Sequence, residues 1–177
     1  MPPVSRPHPS GFRNDGRAPS GGPGQLTATQ ADLWMDRLLR RAEAVGRQGE
    51  VPVAAVVLDG AGRAVGWGSN RRHHGRDPLG HAELVALRQA AASRGDWRFN
   101  DCSLLVTLEP CPMCATAIGF ARLRRVYWGA SDPKGGGIEN GPRIFAQATC
   151  HHRPELFGGI AETEAATLLR DFFKARR

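Results

Sequence analysis

Two short stretches, His81-Ala-Glu83 and Pro110-Cys-Pro-Met-Cys114, limit what this chain can fold into more than any other part of it. Each opens a segment with helical patterning, and the apolar run Ser103–Leu108 lies between them. Cys111 and Cys114, at i and i+3 of a helix start, share a face. The positive end of that helix favours thiolate over thiol, which lowers the free energy needed to deprotonate a metal ligand. If the two helix starts face each other across a sheet, His81, Cys111 and Cys114 take three corners of a tetrahedron. The fourth is left for water, the arrangement of a catalytic zinc ion. Glu83 remains as a nearby carboxylate. Two thiolates and an imidazole already balance the charge of zinc, so a proton-shuttle role suits Glu83 better than a ligand role.

A Cys-x-x-Cys alone also fits half of a zinc knuckle or a redox pair. A knuckle needs a second pair at finger spacing. Cys102 and Cys150 do not supply one, and His151-His152 are adjacent. A redox pair leaves His81 and Glu83 unexplained. The combined pattern points to a zinc-dependent hydrolase.

The 177 residues suit one domain, and a net charge of +7 is a mild argument for a polyanionic partner. An Arg-rich composition would give the same balance. No apolar run reaches signal-peptide or membrane-span length, so the expected context is reducing and cytoplasmic. Met1 to Gln25 is dense in Pro, Gly, Ser and Arg. Residues 1–26 are therefore expected to be a disordered tail and 27–177 the folded domain.

Thr29 with Asp32 resembles a capping box. The helix after it should bury Ala31, Trp34, Leu38, Ala42 and Val45. Strands are expected over 51–58, 63–69, 103–108, 124–129 and 156–160. Helices are expected over 81–93, with Leu84, Val85, Leu87 and Ala91 inward, and over 112–120 and 162–177. One or two helical turns are expected within 142–149. This alternation predicts a three-layer α/β/α domain on a mixed sheet of about five strands.

The finer wording narrows the reading. Glu50-Val-Pro-Val-Ala-Ala-Val, Asn70, Asp77-Pro78, His81-Ala-Glu-Leu-Val-Ala-Leu-Arg88, Thr107-Leu-Glu-Pro-Cys-Pro-Met-Cys114 and Asp171-Phe-Phe-Lys-Ala-Arg-Arg177 closely resemble the bacterial tRNA-specific adenosine deaminases, in the cytidine/deoxycytidylate deaminase superfamily. The resemblance covers residues 30–177. It implies a cytidine-deaminase-like fold and hydrolytic conversion of the wobble adenosine of an arginine tRNA to inosine. It implies one Zn2+ per subunit on His81, Cys111 and Cys114, with Glu83 moving protons. It further implies that Asn70, helped by the backbone near Ala82, holds the flipped adenine. The Asn70–Arg76 loop, Asp132, Lys134, Phe172, Phe173, Arg176 and Arg177 would grip the anticodon stem-loop, and two subunits would form a homodimer.

The residues themselves keep simpler roles open. Phe172 lies on the inward stripe of the last helix, whereas Phe173 falls off it. Arg176 and Arg177 suit a helix C-terminus by charge alone. Asp132 can cap the Gly135-Gly136-Gly137 turn. The chain also departs from the family wording, with Ser69 for Trp, Arg72 for Pro, and Leu79-Gly80 for Thr-Ala. Two rival functions remain: a free-base guanine or cytosine deaminase, and a non-catalytic zinc-stabilised RNA-binding module.

Overall fold

A computed structural model describes residue 22 and residues 24–176. The tail expected over 1–26 lies largely outside the described residues. Leu26, at its end, is buried, and its N–H donates to the Tyr127 hydroxyl.

The first helix, α1 (Ala28–Arg47), starts two residues earlier than its sequence signal suggested. The capping box is Thr27 with Gln30, not Thr29 with Asp32. Thr27 Oγ1 accepts the Gln30 N–H, and Gln30 Oε1 accepts the Thr27 N–H. Glutamine closes the box as well as glutamate does. Its buried stripe is Ala31, Met35, Leu38 and Ala42. Trp34 instead sits half-buried against Trp67.

Strands β1 (Ala54–Leu58) and β2 (Ala64–Ser69) form the expected hairpin. β1 begins three residues late because Pro52 has no N–H to give to a ladder. Helix α2 (Ala82–Arg94) crosses over to β3 (Ser103–Leu108), which pairs antiparallel to β1. Helix α3 (Pro112–Phe120) leads to β4 (Arg125–Ala130), parallel to β3. A single 3-10 turn (Ile144–Ala146) precedes β5 (Glu155–Phe157), parallel to β4, and α4 (Glu162–Lys174) closes the chain. The sheet order is β2-β1-β3-β4-β5, mixed as expected. Alternate strand residues feed two cores. Ala55, Val57, Leu104 and Val106 face α2 and α3, whereas Ala54, Val56, Leu58 and Leu105 face α1.

Of the residues expected inward on α2, Leu87 is buried, but the centre of the buried stripe is formed by alanines. Ala82, Ala86 and Ala90 are fully buried, while Leu84 and Val85 are only partly so. The cause lies in β2. A Cβ added at Gly66 would stand 2.3 Å from the Ala86 carbonyl oxygen, and one at Gly68 would stand 1.9 Å from the Ala82 carbonyl oxygen. Helix and strand touch backbone to backbone, so only alanine fits between them. Gly68→Ala is expected to destabilise the fold by about 3 kcal/mol or more, the upper end of overpacking effects. Denaturant midpoints measure this, and an unchanged midpoint would contradict the close approach.

Candidate metal centre and active site

Two helix N-termini meet at one end of the sheet, where β2 and β3 finish on either side of β1. β2 ends at Ser69, which pairs with Ala54, and the neighbouring Ala55 pairs with Val106 near the end of β3. The chain leaving β2 returns as His81, the N-cap of α2. The chain leaving β3 passes through Glu109 and Pro110 to Cys111, the N-cap of α3, with Pro112 opening the helix. Hairpin and crossover thus bring residues 30 positions apart to one point.

At that point His81 Nδ1 lies 3.6 Å from Cys111 Sγ and 3.5 Å from Cys114 Sγ. Zinc–nitrogen bonds of about 2.0–2.1 Å and zinc–sulfur bonds of about 2.3 Å, meeting at a tetrahedral angle, put nitrogen and sulfur about 3.5 Å apart. The three side chains could therefore hold zinc as they stand, with Nδ1 as the histidine donor. No other group of three such side chains occurs among the described residues. Both cysteines are free thiols. Without metal, the hydrogen bond from Cys114, followed by that from His81, pushes the Cys111 thiol down to about 4. The same shared bond, with burial, pushes Cys114 up. The arrangement favours the charged form of one sulfur over the other, and the hydrogen bond with Cys111 raises His81 in turn.

Glu83 lies one helical step inward and is 4% exposed. Burial in a low-dielectric setting, added to by the negative Cys111, pushes its carboxyl up to about 7. A carboxyl in that range can hold and release a proton near neutral pH.

Asn70 follows β2 directly. Its Oδ1 accepts the Ala82 N–H at 3.0 Å, which leaves Nδ2 as its donating end. The Ala82 N–H is thereby committed to Asn70, and its carbonyl oxygen packs on Gly68. Asp132 caps its own turn, with Oδ1 accepting the N–H groups of Lys134 and Gly135, and Lys134 is exposed. Phe173 is 49% exposed, edge-on to the half-buried Phe172. The Arg176 guanidinium lies 3.7 Å from the Phe172 ring centre and donates to the Gly46 carbonyl, so it folds back onto the α1–α4 junction. Arg177 lies outside the described residues.

Sequence reasoning assigned no structural role to two buried acids, Glu50 and Glu109. Glu50, 2% exposed, takes the backbone N–H groups of Arg72, His73 and His74 at 3.1, 2.7 and 2.8 Å. It fixes the basic loop that leads from Asn70 to His81. Arg72 stands where the family wording has proline, and its N–H gives Glu50 a bond that proline could not. A signal was present in both cases. An acid immediately before an apolar strand, or immediately after one, is an unusual place for a surface charge. Burial raises the Glu50 pKa, but the bonds from His74, His73 and Arg72 outweigh it and hold it below the usual glutamate range.

A depressed carboxylate contributes stability above its unfolded pKa of about 4.3 and loses it as pH falls through the folded value. Glu50→Gln is therefore expected to be about 1.5 kcal/mol less stable than wild type at pH 7. That gap should narrow as pH falls below about 4. Urea midpoints between pH 3.5 and 7 check this, and a pH-independent gap would contradict it.

Comparison with known proteins agrees with this geometry. Residues 28–130 match the family described as the cytidine and deoxycytidylate deaminase zinc-binding region, which makes the domain one of the zinc-binding deaminases. A protein of Agrobacterium fabrum (strain C58) named tRNA-specific adenosine deaminase is 48% identical over 145 residues, 81% of this chain and 94% of that one. A solved structure from work on A-to-I editing by tRNA:A34 deaminases at the wobble position superposes with a TM-score of 0.75 at 45% identity, covering 77% of this chain and 99% of that chain. The guanine deaminase of Bacillus subtilis is 34% identical, with a TM-score of 0.54, over 56% of this chain and 64% of its own. The chain belongs to the tRNA-specific adenosine deaminases of the cytidine and deoxycytidylate deaminase family. It is a zinc-dependent enzyme with one Zn2+ per subunit. No helix among the described residues is long and apolar enough to cross a membrane.

Proposed function

We propose that this protein converts the wobble adenosine of an arginine tRNA anticodon to inosine, acting as a cytoplasmic homodimer. His81, Cys111 and Cys114 hold the zinc, and Glu83 carries the protons. The observation that carries the chemistry is Glu83: buried at 4% exposure, beside a complete set of three ligands, and not needed as a fourth.

Bound zinc supplies the Lewis acid that makes a water acidic at neutral pH. Glu83 would take a proton from the attacking water and deliver it to N1 as the oxygen adds to C6, then move the second proton of that water to the exocyclic nitrogen, so that the C6–N bond breaks and ammonia leaves. Water and adenosine thus leave as inosine and ammonia. Asn70 offers Nδ2 to the base, with its rotamer held by the bond to the Ala82 N–H. A base in an anticodon loop is already unpaired, so extruding it costs less than extruding one from a duplex. Arg71, Arg72, His73, His74 and Arg76 form an exposed basic rim between Asn70 and His81 that suits phosphate contacts. Lys134, Phe173 and Arg176 are the further proposed RNA contacts, and the resemblance adds Arg177.

A free-base deaminase would use the same metal and the same glutamate, but it has no need of the basic rim. A structural zinc module would need a fourth ligand and no buried free carboxylate. The deciding experiment incubates the zinc-loaded protein with an arginine-tRNA anticodon stem-loop carrying wobble adenosine, and separately with free guanine, cytosine and adenosine. Inosine in the RNA alone is the expected result. Ammonia from guanine alone would overturn the assignment, and no product from any substrate would favour the structural module.

A further inference from the structure

Glu109 is 2% exposed, sits between the end of β3 and Cys111, and is not one of the three candidate ligands. Its carboxylate takes five hydrogen bonds, all from one loop. Oε1 accepts the N–H groups of Ile138, Glu139 and Asn140 at 3.1, 2.8 and 3.0 Å. Oε2 accepts the Asp132 N–H at 3.0 Å and Asn140 Nδ2 at 2.6 Å. All five partners are donors, so Glu109 acts purely as an acceptor.

The loop closes directly over this group. A Cβ added at Gly136 would lie 2.5 Å from Glu109 Cδ, and one at Gly137 would lie 2.5 Å from the Pro112 nitrogen. Gly137 N–H also donates to the Pro110 carbonyl at 2.9 Å. Residues 131–141 contain no helix or strand, so the buried charge supplies much of the order that a ladder would otherwise give. Asp132 and Lys134 sit on this loop, and the Asp132 carboxylate is spent on the turn itself.

We propose that Glu109 is a positioning residue for RNA binding: it clamps the 131–141 loop to the start of α3, so that the loop is already formed against Cys111 and Pro112, beside the metal ligands. The inference rests on the deaminase reading of the site. A binding loop ordered for only part of the time weakens apparent substrate affinity by that fraction. Loosening the clamp therefore acts on binding, while the bound complex turns over as before.

Glu109→Gln keeps the shape of the side chain but replaces one acceptor oxygen with a donor, which then faces N–H groups it cannot accept from. With zinc-loaded full-length protein and the anticodon stem-loop, KM and the Kd from direct titration are expected to rise about tenfold. kcat should stay within about twofold, and zinc content should match wild type. Amide hydrogen exchange should quicken at Asp132 and at Ile138–Asn140. Asn140→Ala removes only the side-chain bonds to Glu109 and to Ser131 Oγ. It should move Kd the same way by about threefold, and it decides the matter if Glu109→Gln does not fold. A fall in kcat at unchanged Kd, loss of zinc, or unaltered exchange in the loop would overturn the proposal. Failure of wild type to form inosine would instead overturn the deaminase reading, since exchange rates and zinc content report on the clamp without turnover.

Discussion

Glu83→Gln is expected to retain one equivalent of zinc and to lose about 10⁴-fold in kcat on the stem-loop RNA. Positioned acid–base groups contribute about 10²–10⁴-fold. Glu83 serves more than one proton transfer in the same turnover, so the upper end applies. The substitution is nearly isosteric at a buried position, and an amide can neither take a proton from water nor deliver one to N1. The three ligand atoms are untouched, and their spacing already suits zinc. Metal analysis and inosine formation on one preparation make the test. Zinc loss in step with activity would show Glu83 to be a ligand and would defeat the shuttle assignment.

Cys114→Ala is expected to abolish both zinc binding and turnover. Cys114 is fully buried on α3, and among the described residues no neighbouring His or Cys beyond His81 and Cys111 stands ready to replace its sulfur. Metal that binds only the folded chain stabilises it by about 2.7 kcal/mol when free zinc is a hundredfold above its Kd. For a domain of this size that corresponds to a Tm difference of about 5–10 °C. Chelator added to wild type should lower Tm by a similar amount, and chelator added to Cys114→Ala should do nothing. A variant that still bound zinc and still responded to chelator would show that the metal lies elsewhere.

Two elements that carry or lead into the cysteine ligands were the easiest to read. β3 and α3 fall on Ser103–Leu108 and Pro112–Phe120, the spans their patterning suggests. An uninterrupted apolar run and a proline at the first helical position are local signals that tertiary packing does not override. Helix α2 misled because its largest side chains are not its most buried. Gly66 and Gly68 bring β2 so close that alanines form the contact, and that distance belongs to two segments together. The opening of α1 was displaced for a smaller reason, since Thr27 and Thr29 both offer a hydroxyl and only the partner three residues on selects between them. At the other end, Arg176 turns back over Phe172 onto Gly46, a pairing across 130 residues that no helical pattern could reveal.

The sequence by itself determined the chemistry available to this protein. His81, Glu83, Cys111 and Cys114 are legible because ligand type and helical spacing are properties of neighbouring residues. Only the tertiary structure decided what those residues become. The hairpin and crossover bring His81 Nδ1 within 3.6 Å of both sulfurs. Burial lifts the Glu83 carboxyl towards neutrality. Glu50 and Glu109, which carry no motif of their own, tie down the loops on either side. Burial and long-range hydrogen bonding set these outcomes, and both depend on elements far apart in the chain converging on one end of the sheet.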